Sequence, residues 1–205
     1  MTPEETAADA SKLPDDAMSI TSDYNMVSDI FNYPELRGLE NFAIKRYKNA
    51  TYKGQVNTET RKREGFGVLL NDGGRVYEGR WVKDKKHGQG FETFKNGSQY
   101  RGNYEKGKPH GKGVYTWASG ETYDGEFIQA VKQGYGVWEG LQGDSYKGEW
   151  KDNKVSGFGV HIWINGDKYE GEWQQSLKHG QGTEYFRNND VYTGIYKAGR
   201  PDGYG

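Results

Sequence analysis

The sequence predicts an all-β protein: one elongated, twisted antiparallel sheet, built as a meander of repeated hairpins, with a short irregular or helical N-terminal extension. Three observations predict this. A Tyr-x-Gly-x-aromatic string recurs every 23 residues, and a Gly-x-Gly string follows it at a fixed distance. The composition is 15% aromatic and only 33% hydrophobic, with 31 glycines. A disordered chain has fewer aromatic residues, and an ordinary two-layer domain has more aliphatic ones.

The two strings stay in phase along most of the chain. The tyrosines of the first string are Tyr77, Tyr100, Tyr123, Tyr146, Tyr169 and Tyr192. The central glycine of each copy is followed nine residues later by Gly-x-Gly, at positions 88/90, 111/113, 134/136, 157/159, 180/182 and 203/205. An earlier copy begins at Tyr52 and has two extra residues between Asn57 and Glu64. We therefore expect a repeat array of about seven 23-residue units over residues 47–205, preceded by a separate extension, residues 1–46.

These strings carry a family resemblance. The run Tyr169-Glu170-Gly171-Glu172-Trp173, followed by His179-Gly180-Gln181-Gly182, resembles a MORN repeat almost letter for letter, and the resemblance covers about residues 50–205. It implies a β-ribbon. It also implies a role as a scaffold or linker in cytoskeletal, ciliary or cortical assemblies. A peripheral membrane tether that binds anionic phospholipid is the alternative that the family implies.

Each unit is expected to supply two strands. One is the Tyr-x-Gly-x-aromatic string, and the other begins at Gly-x-Gly. Turn pairs such as Asn96-Gly97 separate the units. A strict two-residue turn there would place Thr93 opposite Tyr100 and Phe91 opposite Gly102. The core face would then carry the aromatic rings packed on Phe91 and on its valine equivalents in other units.

The opposite face would then carry a second set of rings. They recur at the end of the Gly-x-Gly strand and are Phe94, Trp117, Trp163 and Phe186. Two interpretations stay open: the rings pack along the concave side of the ribbon, or they line a groove for a partner segment. Exposed apolar strips usually mark interaction sites.

The N-terminal extension differs in composition from the repeats. Residues 1–23 contain six acidic residues and one lysine, which is typical of disorder. Asp23 is a candidate cap for a short helix that Pro34 ends. That helix would carry on one side Met26, Val27, Ile30 and Phe31. The stretch from Phe42 to Asn49 reads as a degenerate half-repeat, and the region as a cover for the first edge strand.

No catalytic set emerges from the sequence. His87, His110 and His179 occupy the same position before Gly-x-Gly, and in adjacent units they would lie about 10 Å apart, too far to share a metal ion. Cysteine is absent, and 28 basic residues balance 29 acidic ones, which argues against a nucleic-acid partner. We expect a non-enzyme without cofactor or metal. A fragment of a larger enzyme stays open, because some relatives of the family carry catalytic domains.

Basic residues are concentrated in the loops within the units, which all project from one long edge of the ribbon. The N-terminal members are Arg61, Lys62, Arg63, Lys83, Lys85, Lys86, Lys106 and Lys108. We name this set the basic edge. It has two interpretations: lysines that block strand pairing and keep the sheet soluble, or a surface that attracts anionic lipid.

The last predicted strand has little partner on its outer side. It contains Tyr192, Ile195 and Tyr196, with no proline and no charge. Such an edge invites strand addition, so we expect self-association or binding of another subunit there. The alternative is that the natural chain continues beyond this point.

Taken together, these patterns predict a scaffold that binds other proteins of a larger assembly. The acidic, polar N-terminus is unlike a secretory signal. We therefore expect a cytoplasmic protein, located at the cytoskeleton or cilium or on the cytosolic face of a membrane.

Overall fold

The computed structural model describes residues 38–203 and 205, and it shows one antiparallel sheet in which each strand pairs with its neighbours in sequence. This confirms the predicted fold class. The described residues contain no α-helix. The predicted disorder of residues 1–23 and the helix after Asp23 lie outside them. The strands are β1 (Phe42–Tyr47), β2 (Ala50–Val56), β3 (Arg63–Asn71), β4 (Val76–Val82), β5 (Lys85–Thr93), β6 (Gln99–Glu105), β7 (Lys108–Thr116), β8 (Thr122–Ile128), β9 (Val131–Glu139), β10 (Ser145–Lys151), β11 (Lys154–Ile162), β12 (Lys168–Gln174), β13 (Leu177–Tyr185), β14 (Val191–Lys197) and β15 (Arg200–Pro201).

The sheet begins with the predicted half-repeat. Strand β1 pairs with β2 from Phe42 opposite Gln55 to Tyr47 opposite Ala50, so the sheet starts ahead of the boundary expected at residue 47. Leu39 and Phe42 pack against Val68, which is fully buried. Residues next to the repeats therefore cover the edge of β2, as expected.

The register predicted at the turn between units was wrong by one residue. The backbone N–H of Phe94 donates to the carbonyl of Ser98, and the N–H of Gly97 donates to the carbonyl of Phe94. These bonds close a three-residue loop in which Gly97 has a φ of 87°, the left-handed conformation that glycine favours. Tyr100 consequently lies opposite Glu92, and not opposite Thr93.

A slip of one residue moves side chains to the other face of a sheet. Phe91 therefore lies opposite Arg101, whose guanidinium carbon is 5.2 Å from the centre of the Phe91 ring. Val68 likewise lies apart from the tyrosines, in its own cluster with Phe66 and Leu70. The ladder of aromatic rings exists as predicted, but it does not pack on Phe91 and its valine equivalents, which lie on the opposite face. We call the face that carries it the aromatic face.

Glycine pairs make room for the tyrosine rings of this face. A Cβ atom on Gly113 would lie 2.4 Å from the hydroxyl oxygen of Tyr100, and one on Gly102 would lie 2.7 Å from it. The ring therefore lies flat over two glycines that face each other across β6 and β7. The same pair of glycines recurs beneath the other ladder tyrosines from Tyr52 to Tyr169. This contact explains why each unit needs both glycine strings.

We expect Gly102→Val to destabilise the sheet by about 1–3 kcal/mol, the usual cost of overpacking. The added Cβ would meet Gly113 Cα at 2.5 Å and the Lys112 carbonyl oxygen at 2.8 Å, not Phe91 as the predicted register implied. Urea unfolding measures the effect. Gly73→Ala is the matched control, because nothing lies within 4 Å of its Cβ. Equal unfolding midpoints for the two variants would show that the glycine pair has no packing role.

Two-residue turns connect the strands within units 2 to 6. Both turn residues have positive φ, as in Gln175 (52°) and Ser176 (68°), which is the type I′ conformation that Asn-Gly adopts most readily. The N–H of Ser176 also donates to the carbonyl of Val155 in the preceding unit. Non-glycine residues in this conformation are strained.

Replacing Gln175-Ser176 by Asn-Gly should therefore stabilise the sheet by about 1 kcal/mol, because it relieves this strain and keeps the N–H that bonds Val155. Thermal unfolding measures the gain. The matched control is the same replacement at Asp152-Asn153, where residues tolerant of positive φ already stand and a smaller gain is expected. A lower melting temperature for the first variant would contradict this account of the turn.

The aromatic face as a candidate binding site

The floor of the aromatic face is a continuous ladder of buried rings. Neighbouring rings meet edge to face, for example Tyr100 with Tyr104 at 5.2 Å and with Phe127 at 5.3 Å between centroids. Such contacts add to the energy of burial. The buried rings are Tyr52, Tyr77, Trp81, Tyr100, Tyr104, Tyr123, Phe127, Tyr146, Trp150, Tyr169, Trp173 and Tyr196. We call them the tyrosine ladder.

Hydrogen bonds fix the ladder rings to the backbone. Six tyrosine hydroxyls, from Tyr52 to Tyr169, donate to the carbonyl three residues further on, at 2.6–3.2 Å. The indole N–H groups of Trp81, Trp150 and Trp173 donate to glycine carbonyls at 3.1–3.2 Å. Burial raises the pKa of five of these tyrosines, that of Tyr169 to about 12, so these stay neutral donors; the five are Tyr52, Tyr77, Tyr123, Tyr146 and Tyr169. The floor is therefore rigid.

A second row of rings stands at the turns, on the same face as the ladder. Phe94, Trp117, Trp163 and Phe186 each occupy the first position of a turn between units, where the backbone N–H closes the loop. We call these four the turn row. Phe94, Trp117 and Trp163 are half-buried and pack on the ladder, and Phe186 is 38% exposed. The row therefore both packs on the sheet and presents ring surface to solvent.

The turn row has a gap in the fourth unit, where Gly140 occupies the position of a ring. A side chain there would collide with Asp144, whose Oδ1 lies 2.1 Å from the Cβ position. In the next unit the face forms a depression of about 430 Å³. It is lined by Asp144, Trp163, Ile164, Asn165, Asp167, Lys178 and Glu184.

Four cations lie among the ladder rings, each at the position that pairs with the fifth residue of the Tyr-x-Gly-x-aromatic string. They are Arg63, Lys86, Lys132 and Lys178, and we call them the caged cations. Lys132 Nζ lies 4.6–4.8 Å from the ring centres of Trp117, Tyr123 and Trp150. Lys178 Nζ has the equivalent rings Trp163, Tyr169 and Tyr196 at 4.6–5.6 Å.

Three caged cations pair with a carboxylate of the chain. Arg63 Nε lies 3.0 Å from Asp84 Oδ1, and Lys86 and Lys178 bond to Glu92 and Glu184. Glu92 is 2% exposed and also accepts hydrogen bonds from Arg75 Nε at 2.7 Å and from the Tyr104 hydroxyl at 2.9 Å. Burial acts to raise the pKa of Glu92, but the hydrogen bonds and charges of Arg75 and Lys86 hold that pKa below its ordinary value.

The sequence prediction missed the caged cations as members of this face. All four were assigned by their charge to the basic loops along one edge, and Glu92 and Glu184 were not singled out. A signal for them existed. In two units a lysine stands two residues before the Gly-x-Gly string and a glutamate stands six residues after that lysine: Lys86 with Glu92, and Lys178 with Glu184.

Six residues predicted for the basic edge project from it. These exposed residues are Arg61, Lys62, Lys83, Lys85, Lys106 and Lys108. Lys106 Nζ pairs with Glu105 at 2.9 Å. The other two, Arg63 and Lys86, lie on the aromatic face in ion pairs, with side chains 18% and 14% exposed. The edge therefore carries fewer free charges than the sequence suggested.

The predicted C-terminal edge residues have different environments. Ile195 is 50% exposed, whereas Tyr196 is 1% exposed and belongs to the ladder, where its hydroxyl bonds to Glu184. Tyr192 is half-buried, and a Cβ on Gly205 would touch its ring at 2.2 Å. Strand β15 pairs with β14 only at Tyr196 and Lys197. Of the three side chains, that of Ile195 is the most accessible to a partner.

Over positions 38–203 and 205, no group of three or more His, Asp or Glu side chains is arranged to hold a metal ion. The same stretch contains no helix with the length and apolar character needed to cross a bilayer.

Comparison with known proteins identifies the family. The model described as MORN repeat matches six consecutive repeats, at residues 77–99, 100–122, 123–145, 146–168, 169–191 and 192–205. The chain therefore belongs to the MORN-repeat family. The first predicted unit, which begins at Tyr52, precedes the matched residues but forms the same strand pair, β2 and β3. Membership suggests a protein-interaction or membrane-binding module.

Solved structures give weaker likenesses, and a search of curated proteins found no match. The chain is similar to the SAS-4 (dCPAP) TCP domain in complex with a proline-rich motif of Ana2 (dSTIL) of Drosophila melanogaster, at 12% identity and a TM-score of 0.39, covering 64% of this chain and 78% of that one. It is also similar to a streptogramin B lyase, at 13% identity and a TM-score of 0.20, covering 76% of this chain and 54% of that one. At TM-scores below 0.5, these similarities support no conclusion about the function of the chain.

Proposed function

We propose that the protein is a non-enzymatic scaffold that binds a segment of another protein along its aromatic face. The observation that supports this most is the turn row: partly exposed rings held on a rigid floor of buried ones. All strands of the described residues belong to one sheet, so no second layer within positions 38–203 and 205 covers these rings. Large rings that lose little conformational entropy on binding are typical interaction anchors.

The proposed setting is a larger cytoplasmic assembly of the cytoskeleton, a cilium or the cell cortex. The family resemblance supports this setting, and an elongated sheet suits it, because the repeats present an aromatic ring at the same position in four of the five units from Phe94 to Phe186. A repeat array of this kind can hold an extended segment along several units.

Anionic lipid is the second candidate ligand. Arg61, Lys62, Lys83, Lys85 and Lys108 are exposed on one edge, and basic residues near an anionic membrane contribute about 1 kcal/mol each.

Self-association through the edge of β14 remains a prediction. Ile195→Lys should weaken it, as measured by light scattering at high concentration.

Two sets of substitutions discriminate the candidates. The face variant carries Trp117→Ser and Trp163→Ser. The edge variant carries Arg61→Gln, Lys62→Gln, Lys83→Gln and Lys85→Gln, and it spares Arg63 and Lys86 because these lie in ion pairs. Protein partners captured by the wild-type chain from native extract should bind the face variant about tenfold or more weakly and the edge variant unchanged. Circular dichroism controls for folding.

The lipid alternative makes the opposite prediction. Sedimentation with phosphatidylserine vesicles should then retain the face variant and lose the edge variant, and high salt should abolish the binding. That pattern, together with protein partners that bind both variants equally, would overturn the proposed function.

A further inference from the structure

Lys132 differs from the other caged cations in lacking a carboxylate. Where Lys86 has Glu92 and Lys178 has Glu184, Lys132 has Trp138, six residues further along its own strand. Where Arg63 has Asp84, Lys132 has Asn153, whose side-chain oxygen accepts the backbone N–H of Lys132 at 2.9 Å. Both positions that supply an acid elsewhere are therefore neutral here, and within the described residues Lys132 makes no ion pair.

The environment of Lys132 makes this lack costly. Three rings surround its ammonium group at 4.6–4.8 Å, and burial lowers the pKa of Lys132, opposed by longer-range attraction from Glu121. A partly desolvated cation gains from an additional anion more than an exposed one does.

The turn row also lacks a ring at this site, where the Asp144 carboxylate lies against Gly140. Phe94 and Phe186 stand eight residues after Lys86 and Lys178, whereas Gly140 stands eight residues after Lys132. The missing ring and the missing acid thus occur in the same unit, on the same face. Trp117 on one side and Trp163 in the next unit flank the gap in the turn row.

We propose that Lys132 is the anchor for an acidic side chain of the bound partner segment, whose carboxylate pairs with the Lys132 ammonium group as Glu92 and Glu184 pair with Lys86 and Lys178. This inference rests on the proposed function and adds the partner's chemistry: an extended segment with an Asp or Glu, flanked by apolar residues that contact Trp117 and Trp163. A carboxylate is the ligand of choice because the other three caged cations of this chain all bind one.

A random peptide library displayed on phage and selected on the full chain provides the probe. Selected peptides are expected to carry Asp or Glu at one fixed position, and replacing that acid by its amide should weaken binding to the wild-type chain about tenfold. The same replacement should have no effect on binding to Lys132→Met, because the acid then has no cation to pair with.

Trp138→Glu provides an independent test. The new glutamate would stand at the position in the fourth unit that Glu92 and Glu184 hold beside Lys86 and Lys178. It should therefore pair with Lys132 and leave no free cation for the peptide. We expect it to weaken the acidic peptides about tenfold while the melting temperature stays unchanged or rises. If Lys132→Met does not fold, Trp138→Glu still tests whether the acid of the selected peptides pairs with Lys132.

The outcomes separate this inference from the proposed function. Peptides that lose affinity for the face variant, but show no fixed acid or bind Trp138→Glu as tightly as the wild-type chain, would overturn the role of Lys132 alone. If no selected peptide depends on Trp117 or Trp163, the proposed function fails as well.

Discussion

Tyr123→Ala is expected to destabilise the protein by about 3–5 kcal/mol, the usual cost of truncating a fully buried aromatic side chain. Tyr123 is 0% exposed and meets Phe127 at 5.2 Å and Trp150 at 5.1 Å between ring centroids. Its ring fills the space above Gly125 and Gly136. With no side chains beneath it, the sheet cannot close the resulting cavity. The free energy of unfolding in urea measures the loss.

Two control variants make this result specific. Tyr123→Phe keeps the ring and removes only the bond from the hydroxyl to the Glu126 carbonyl, at 3.2 Å, so it should cost about 1 kcal/mol. Tyr135→Ala removes a tyrosine that is 48% exposed and should change stability by less than about 1 kcal/mol. If Tyr123→Ala were no more harmful than Tyr135→Ala, the tyrosine ladder would not be the core.

Glu92→Gln is expected to cost about 3–5 kcal/mol, because it leaves the charge of Lys86 without its partner among the rings. Lys86 Nζ lies 4.5 Å from the centre of the Tyr77 ring and has a side chain that is 14% exposed. Adding Lys86→Met should recover most of the loss, because the double variant no longer buries an unpaired ammonium group. Glu170→Gln, in an ion pair with Lys168 and 42% exposed, should cost less than about 1 kcal/mol.

The Glu92 cluster also predicts a pH dependence. The folded-state pKa of Glu92 lies below its ordinary value, while in the unfolded chain a glutamate has a pKa of about 4.3. The stabilisation is therefore fully present above about pH 4.3 and is lost as the pH falls through the lower, folded-state pKa. The difference in unfolding free energy between the wild-type chain and Glu92→Gln should be constant near neutral pH and shrink in acid. A difference that is independent of pH down to full acid unfolding would contradict this role.

The period of the sequence was enough to predict the sheet, because each Tyr-x-Gly-x-aromatic string, and each Gly-x-Gly string up to the one at 180/182, lies in one strand. The turn chemistry was not enough to fix the register. Asn96-Gly97 suits a two-residue loop, yet the chain forms a three-residue loop with Gly97 in the left-handed conformation. Since one residue of slip exchanges the faces, the turns of this kind between units decided whether Phe94 and Trp117 lie with the ladder or opposite it.

The candidate site was predicted in part for the same reason. The recurrence at Phe94, Trp117, Trp163 and Phe186 was found by spacing alone, but its contact with the ladder depends on the register. Tyr196 was expected at an accessible edge, and its burial follows from the ladder that continues through it. Lys86 was assigned to a loop edge by its charge, whereas strand alternation turns it onto the aromatic face opposite Trp81. Charge alone does not tell which face a residue occupies.

The six tryptophans of the chain allow a direct test of the central claim, that the aromatic face binds the partner. The indole N–H groups of Trp81, Trp150 and Trp173 are bonded to backbone carbonyls under the ladder, while Trp117, Trp138 and Trp163 pack at its exposed side. In an NMR spectrum of the ¹⁵N-labelled indoles, adding a bound peptide should shift the signals of Trp117, Trp138 and Trp163 most. The other three signals should move little. Shifts confined to Trp81, Trp150 and Trp173, or no indole shift at saturation, would contradict the claim.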